Sequence, residues 1–285
     1  MRNIFGIFAV TPKGPISLVT LPVGSDLQDL FDSFPAGVYS GFRSQEDGRF
    51  VDLSSHLDRL TSSLLMLGNG PDYDRESALL ALHQLMDGSC RYRLQVLPME
   101  IEMPHGPCRV LIGIGPWKPL PSDWLIHGVH LHFIPHLSRP SPKVKSSSFA
   151  ALRRPFPLYQ REDYDRILTT PEGHILEGTS CNIIFIRGNT LVTAGEDVLE
   201  GITRKHVLNL ADERNLLVRF DSPHISEIAQ FQGAFVTSAA RGIVPVVAIS
   251  GHILGDGTPH PIAIELSNAY DAFARSAAQT PTSLI

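Results

Sequence analysis

Hydrophobic and polar positions divide the chain into short alternating runs and a smaller number of helical segments. Apolar runs at about 91–97, 109–115 and 128–134 predict β-strands. An intervening segment repeats leucine at helical spacing, and Ser54 or Ser55 stands where a capping residue would begin that helix. This pattern predicts a mixed α/β protein.

The same pattern predicts further elements on both sides of these strands. Residues 37–43 and 50–53 are strand-like and are joined by a turn around Gly48, so they predict a hairpin. A second helix is expected at about 75–86. Four more elements are predicted towards the C-terminus: a hairpin at about 182–193, a helix at about 202–213, a strand at 233–237 and a helix at about 260–276.

The length of the chain suggests two domains. A single hydrophobic core rarely grows to serve 285 residues. The proline-rich stretch 115–121 is the best candidate for a linker. We therefore predict a small N-terminal α/β domain over residues 1–120 and a larger C-terminal domain over residues 121–285, which contains Lys145.

Composition and charge exclude several classes of protein. Apolar residues make up 43% and charged residues 19%, as in a globular protein, and the net charge of −5 argues against a nucleic-acid partner. No run approaches the length of a membrane-spanning helix, so no membrane partner is expected. The first residues lack the apolar region of a signal peptide, and the three cysteines are too few for a disulfide scaffold. A cytoplasmic protein is expected.

Three positions in the second half of the chain are candidates for chemistry. Glu177 opens an apolar strand, so its carboxylate is either solvated or faces a cationic ring nitrogen. The run Gly201-Ile202-Thr203 opens a helix, and its amide groups suit a phosphate, although an ordinary helix start has the same pattern. Small residues after Thr237 form another possible anion nest.

Two cations are candidates elsewhere. Arg59 lies in the first turns of the helix that follows Ser55, where its guanidinium either holds a phosphate or is simply solvated. Lys145 lies beside apolar residues and hydroxyl groups, a setting that suits a nucleophile, although most lysines have no such role. Each of these features has an ordinary structural explanation when taken singly.

Taken in order, these motifs resemble the class IV aminotransferase family, the fold-type IV pyridoxal phosphate (PLP) enzymes. That family includes branched-chain aminotransferases, D-amino acid aminotransferases and 4-amino-4-deoxychorismate lyases. The resemblance implies an α/β fold of two domains, PLP as cofactor and a homodimer. The matching motifs are His-x-x-Arg-Leu from His56, Lys followed by hydroxyl residues from Lys145, Glu-Gly-x-Ser-x-Asn from Glu177, Gly-Ile-Thr-Arg from Gly201 and Thr-Ser from Thr237.

The resemblance also implies a role for each matched residue. Lys145 would form the Schiff base and move a proton, and Glu177 would pair with the pyridine nitrogen of PLP. Leu199 would pack on one face of the cofactor ring, and Tyr39 would stand at the mouth of the active site. The phosphate would be held by Arg59, the amides of Ile202 and Thr203, and Ser238.

Lys143 is the alternative lysine for the Schiff base. We favour Lys145, because it is followed by three serines and Phe149, as the family's lysine is followed by hydroxyl residues and an aromatic residue. Its distance along the chain from Glu177 also suits the family.

The residues expected to bind substrate depart from the family in places. D-amino acid aminotransferases carry an Arg-x-His carboxylate trap where this chain has Leu97-Pro98-Met99, so the trap is absent. Arg93 matches an arginine of branched-chain enzymes, or it is a solvated strand arginine. Phe149-Ala150 stands where branched-chain enzymes place a tyrosine, which removes a hydrogen bond to the ring oxygen. Two further arginines are candidates for the substrate carboxylate: Arg43 and Arg241.

Four histidines between residues 127 and 136 also suggest a metal site. His130 and His132 share one strand face, but no cysteine or acid cluster stands beside them. We therefore expect no metal.

Three functions are consistent with these observations. The first is a PLP-dependent aminotransferase that moves an amino group between an amino acid or amine and a 2-oxo acid, with a branched-chain-like substrate favoured. The second is a 4-amino-4-deoxychorismate lyase that releases pyruvate. The third is a PLP-binding relative without turnover, against which the presence of both Lys145 and Glu177 argues.

Overall fold

The computed structural model describes residues 4–70, 72–103, 106–153 and 160–285. The strands in these ranges are, in chain order, β1 (Gly6–Thr11), β2 (Gly14–Thr20), β3 (Val38–Arg43), β4 (Phe50–Val51), β5 (Cys90–Ile101), β6 (Cys108–Pro116), β7 (Val129–Phe133), β8 (Asp165–Thr169), β9 (Ile175–Gly178), β10 (Asn182–Arg187), β11 (Thr190–Thr193), β12 (Leu217–Phe220), β13 (Gly233–Ser238), β14 (Gly242–Ile249), β15 (His252–Ile253) and β16 (Ala278–Gln279).

The α-helices of the same ranges are α1 (Leu27–Leu30), α2 (Leu53–Met66), α3 (Arg75–Leu85), α4 (Ser122–His127), α5 (Ser147–Leu152), α6 (Ile202–Asp212) and α7 (Pro261–Ser276). Short 3-10 helices lie at Phe31–Ser33, Ile225–Gln230 and Pro281–Leu284. None of the helices in the described ranges has both the length and the apolar character that a membrane crossing requires. The mixed α/β class predicted from the sequence is confirmed.

Contacts within the chain define two compact units. The first contains Met1–Lys118, Val144–Leu152 and Ala274–Ile285, and the second contains Pro119–Lys143 and Arg153–Phe273. Lys145 therefore makes its contacts with the first unit. The domain limits given above remain a prediction.

The first unit is built on an antiparallel sheet in the strand order β2-β1-β6-β5-β3. Strands β5 and β6 lie inside this sheet, and most of their residues are buried. On one side, α1 and the following 3-10 helix pack Leu27 and Phe31 against Ile7 and Leu111. Gly113 allows this packing, because a Cβ there would lie only 2.4 Å from the Phe31 ring.

The second unit contains a larger mixed sheet in the order β12-β11-β10-β13-β14-β7-β8-β9, with β15 paired to β14. Strands β10 and β14 are buried almost throughout, as expected for central strands with both faces covered. The core beside this sheet includes Tyr164, Phe185 and Phe231. Strands β9, β10 and β13 carry Glu177, Asn182 and Thr237, three polar residues of the candidate site.

Most elements predicted from the sequence are confirmed, but the predicted hairpin is limited to a single bridge and the predicted helix cap is wrong. Strand β3 pairs with β5 and β4 pairs with β16, so only an isolated bridge from Ser44 to Phe50 joins the two predicted hairpin strands. Helix α2 is capped by Asp52, whose carboxylate accepts from the Ser55 amide at 3.2 Å, and not by a serine. Aspartate caps a helix as well as serine does, and Asp52 immediately precedes the first helical residue.

Candidate active site

Glu177 lies at the end of β9 with its carboxylate buried. Oε1 accepts from the Arg139 Nε at 2.8 Å, and these two side chains are 2% and 7% exposed. Oε2 accepts from the Asn182 Nδ2 at 3.2 Å and from the Leu199 amide at 3.3 Å. Every one of these partners is a donor, as suits an ionised carboxylate. The alternative that Glu177 is a solvated strand-end acid is therefore wrong.

Asn182, at the start of β10, connects Glu177 to the residues before α6. Its Nδ2 also donates to the Leu199 carbonyl at 2.8 Å. Its Oδ1 would lie 2.0 Å from a Cβ at position 201, so only glycine fits beside it. Leu199 and Asn182 are both buried. Asn182 thus fixes the backbone that leads into α6 and also bonds to Glu177, the candidate acid.

The N-terminus of α6 has two features of an anion site. Gly201 is the capping residue and no side chain caps the helix, so the Ile202 and Thr203 amides lie at an uncapped positive end. Thr237 lies opposite Asn182 in the pairing of β13 with β10. The buried Thr237 Oγ1 has no hydrogen-bond partner among the described residues. A buried hydroxyl without a partner is costly, which a bound ligand would relieve.

The turn between β9 and β10 is held by Asp165, which the sequence did not identify. This aspartate is fully buried at the start of β8. Oδ1 accepts from the Thr179 hydroxyl at 2.5 Å, and Oδ2 accepts from the Ser180 amide at 3.0 Å and its hydroxyl at 2.7 Å. The Cys181 thiol donates to Oδ2 at 3.2 Å. Asp165 therefore fixes all three residues that immediately precede Asn182.

Lys145 lies in the first unit, in a segment attached to β3 by backbone bonds. Its carbonyl accepts from the Tyr39 amide at 2.9 Å, and Ser147 exchanges two bonds with Gly37, both at 2.8–2.9 Å. The Lys145 Nζ lies 5.1 Å from the centre of the Tyr39 ring. The two residues predicted to stand in the active site, Lys145 and Tyr39, are therefore neighbours.

Arg93 lies on β5 beside the same tyrosine. Its guanidinium carbon is 4.2 Å from the centres of both the Tyr39 and the Phe31 rings, so the group is stacked between them. Its NH groups donate to Gln28 and Gln95. Only 5% of Arg93 is exposed. The alternative that Arg93 is a solvated strand arginine is therefore wrong.

Arg59 lies on α2 and is bonded to two polar residues of the first unit. Its Nη2 donates to the Ser40 Oγ at 2.6 Å and lies 3.3 Å from the His56 Nδ1. Ser40 and His56 are both buried. Arg59 is thus held by a defined polar cluster and is not a freely solvated helix arginine.

The other sequence candidates lie in simpler surroundings. The Lys143 side chain is 56% exposed, with its Nζ 3.9 Å from the exposed Glu200 carboxylate. The Ser238 carbonyl accepts from the Arg241 amide at 3.2 Å, and Arg241 also donates to the Ser180 hydroxyl at 2.9 Å. The Arg43 guanidinium stacks on the Trp117 ring at 4.4 Å. No group of three or more metal-binding side chains occurs in the described ranges.

Sequence reasoning missed the residues that hold the candidate site in place. Asn182 belongs to the Glu-Gly-x-Ser-x-Asn motif, so a role for it could have been inferred. Ser40 and His56 neighbour Tyr39 and Arg59 in the recognised motifs. Arg139 and Asp165 gave no local signal, because their partners lie 38 and 14–16 residues away along the chain.

Comparison with known proteins defines the family. Residues 37–249 match the family Amino-transferase class IV. Because this match covers most of the chain, the protein belongs to the class IV aminotransferase family, as the sequence motifs indicated.

Individual relatives are similar over parts of their length. A probable branched-chain-amino-acid aminotransferase of Thermotoga maritima is 30% identical over 145 residues, which span 49% of this chain and 51% of the relative. A D-alanine aminotransferase of Bacillus licheniformis is 31% identical over 100 residues, 34% of this chain and 35% of the relative. A probable branched-chain-amino-acid aminotransferase of Rickettsia typhi is 26% identical over 238 residues, 78% of this chain and 80% of the relative.

Solved structures share the fold. A branched-chain amino acid aminotransferase of T.th. with pyridoxamine 5'-phosphate superposes with a TM-score of 0.77 at 20% identity, covering 96% of this chain and 95% of that one. The Escherichia coli branched-chain amino acid aminotransferase gives a TM-score of 0.74 at 19% identity, with 96% of both chains covered. The fold-type IV prediction is confirmed.

Proposed function

We propose that this chain is a PLP-dependent aminotransferase that transfers an amino group between an amino acid, or an amine, and a 2-oxo acid. The observation that carries the proposal is the buried Glu177 carboxylate, in the family's Glu-Gly-x-Ser-x-Asn motif, bonded to Arg139 and Asn182. A charged acid is expensive to bury, so its retention at this position supports a role facing a cationic ring nitrogen.

The phosphate of PLP fits the residues present in the second unit. The uncapped start of α6 supplies the Ile202 and Thr203 amides, and the Thr237 Oγ1 is a buried hydroxyl that needs a partner. Ser238 follows Thr237 and supplies a second hydroxyl. We propose that these residues, together with Arg59, bind the phosphate.

Bound PLP would supply an electron sink for negative charge at the substrate α-carbon. We propose that Lys145 would hold the cofactor and that its Nζ would carry the proton removed from that carbon. Glu177 would accept a hydrogen bond from the protonated ring nitrogen, and Arg139 holds the carboxylate in place. Leu199 would pack against one face of the cofactor ring, and its burial beside Glu177 supports this role.

Branched-chain-like amino acids are the substrate class we propose. Two of the relatives described above are named as probable branched-chain-amino-acid aminotransferases. Tyr39 and Arg93 are the proposed substrate-binding residues, because the Tyr39 ring lies beside the Lys145 Nζ and the Arg93 guanidinium stacks on that ring. The relatives named above are aminotransferases, so the comparisons do not favour the lyase.

The first test uses the two lysines as a matched pair. Purified wild-type protein and Lys143→Ala should be yellow with PLP, and borohydride reduction followed by peptide mass spectrometry should find the cofactor on Lys145. Lys145→Ala should remain colourless and unlabelled. A label on Lys143, or a colourless Lys143→Ala variant, would refute the assignment.

Substrate class is tested on the same protein. Leucine, isoleucine or valine should bleach the visible band, and 2-oxo acids should restore it. Release of pyruvate from 4-amino-4-deoxychorismate would support the lyase instead.

The role of Glu177 is tested by Glu177→Gln. Because glutamine cannot hold the ring nitrogen protonated, turnover should fall by roughly a thousandfold, about 4 kcal/mol of barrier, while PLP still binds. Unchanged turnover in a folded variant would contradict the role of the carboxylate.

We also propose that the protein is a cytoplasmic homodimer. The family resemblance supports the dimer, and the three buried cysteines, all free thiols, fit a reducing compartment. Sedimentation equilibrium would test the dimer, and fractionation of source cells would test the compartment.

A further inference from the structure

A polar triad lies in the first unit where β3 passes α2. It consists of Ser40, His56 and Arg59. The Ser40 Oγ is 2.8 Å from the His56 Nδ1 and 2.6 Å from the Arg59 Nη2, and the Arg59 Nη2 is 3.3 Å from the same histidine nitrogen. Ser40 is fully buried and His56 is 2% exposed. Ser40 and His56 are thus withdrawn from solvent, so hydrogen bonds within the protein must replace those to water.

The chemistry of these groups favours one direction for each hydrogen bond. A guanidinium only donates, so the Ser40 oxygen accepts from Arg59. The single hydroxyl hydrogen of Ser40 is then available for His56, and the Nδ1 of His56 accepts it. The contact from Arg59 to the same Nδ1 has the same polarity. This order of donation requires an unprotonated Nδ1 on His56, with the hydrogen on Nε2.

We propose that Ser40 and His56 are positioning residues that preset the Arg59 guanidinium for the cofactor phosphate. This inference rests on the proposed function, in which Arg59 binds that phosphate. The order of donation is Arg59 to Ser40 and Ser40 to His56, with Arg59 to His56 as a second link. The neutral histidine with hydrogen on Nε2 is part of the arrangement, because a hydrogen on Nδ1 would face two donors.

The arrangement has a physical benefit for anion binding. A long arginine side chain loses conformational freedom when it binds a ligand, and prior fixing of its planar fork removes much of that cost. Ser40 and His56 can do this because their own positions are rigid. Ser40 lies inside the paired strand β3, and the His56 ring packs against Phe42 at 4.9 Å between centres. Ser40 and neutral His56 carry no negative charge, so neither of them neutralises the positive charge of Arg59.

The test compares PLP with pyridoxal, which has the same ring and aldehyde but no phosphate. Full-length protein, freed of cofactor, is titrated with each compound, and the dissociation constant of pyridoxal is divided by that of PLP. We expect Ser40→Ala and His56→Phe to weaken PLP about tenfold while pyridoxal affinity is unchanged, so that this ratio falls. His56→Asn should recover most of the PLP affinity, because the asparagine amide oxygen can replace the Nδ1 acceptor.

Two further variants separate the inference from the proposed function. Ser62→Ala is the matched control, because Ser62 lies on the same helix but its exposed hydroxyl donates only to the Asp58 carbonyl. Arg59→Ala should weaken PLP by about a hundredfold and leave pyridoxal unaffected. If Arg59→Ala leaves the ratio unchanged, the proposed phosphate role of Arg59 is wrong. If Arg59→Ala lowers the ratio while Ser40→Ala and His56→Phe behave as wild type, only the positioning role is wrong.

A direct readout of the histidine completes the test. In ¹⁵N spectra assigned by comparison with His56→Asn, His56 should show a protonated Nε2 and an unprotonated Nδ1, with or without cofactor. A hydrogen on Nδ1 would contradict the proposed order of donation from Arg59 to Ser40 and from Ser40 to His56. Should His56→Phe fail to fold, Ser40→Ala and this spectrum decide the matter without it.

Discussion

Two buried carboxylates of the second unit, Glu177 and Asp165, are held in different ways. Glu177 is bonded to a cation, Arg139, and its donors come from segments far apart along the chain. Asp165 is bonded to hydroxyl, thiol and amide donors, and three of its donor residues are consecutive, at 179–181. One carboxylate joins distant segments and the other fixes a single turn.

The different hydrogen-bond partners of Glu177 and Asp165 match the different roles of the two acids. Neutral donors can stabilise a buried charge when several of them converge, as around Asp165. A residue that holds one turn needs no countercharge. A residue proposed to face a cationic ring must stay charged in a fixed place, and Arg139 provides this for Glu177. The turn that Asp165 fixes begins directly after β9, the strand that carries Glu177.

The largest expected effect is that of Arg139→Leu. Removing the guanidinium leaves the Glu177 charge buried without its cation, so the free energy of unfolding should fall by about 3–5 kcal/mol. Urea denaturation measures this loss. Arg219→Leu, at an exposed pair with Asp221, should cost less than about 1 kcal/mol. Equal losses of stability in the two variants would show that the buried pair of Glu177 and Arg139 contributes no more than an exposed ion pair.

Asp165→Asn should have an intermediate effect. The amide group of asparagine would place a donor among the hydroxyl, thiol and amide donors that now converge there, costing about 2–3 kcal/mol. Because Asp165 fixes the turn, PLP affinity should fall as well. Asp256→Asn serves as the control, since that carboxylate accepts similar bonds from Thr258 at the surface. If Asp165→Asn is as stable as wild type, the turn at 179–181 does not depend on the Asp165 carboxylate.

The smallest effect concerns Cys181 and pH. Burial, and next the charge of Asp165, raise the pKa of the Cys181 thiol well above its ordinary value. Its contribution to stability is therefore present below the unfolded thiol pKa and is lost as pH rises above it, by about 1.4 kcal/mol per unit. Urea denaturation at pH 7 and pH 9.5 should show a smaller loss for Cys181→Ala than for wild type. Identical pH dependence would mean that the thiol ionises freely in the folded protein.

The sequence allowed much of the fold to be predicted because its signals are local. The apolar run of β10, the leucine spacing of α2 and the glycine before α6 each depend on neighbouring residues. The hairpin predicted for β3 is limited to the bridge from Ser44 to Phe50, and the main partner of β3 was not predicted. Strand β3 instead pairs with β5, which begins beyond two intervening helices, and no local pattern reports such a partner.

The same limit applies to the candidate site. Lys145, Glu177 and Arg59 lie in short motifs, so they could be named from the sequence. Arg139 and Asp165 could not, because what makes them matter is burial and contact across the folded second unit.

Gly201 has a practical consequence for redesign of this protein. Even alanine at this position would push against the Asn182 amide oxygen, and Asn182 also contacts Glu177 and Leu199. A directed-evolution library that randomises the residues before α6 would therefore lose most of its members at this single codon. Keeping glycine there and varying exposed neighbours such as Glu200 would preserve the library's useful diversity.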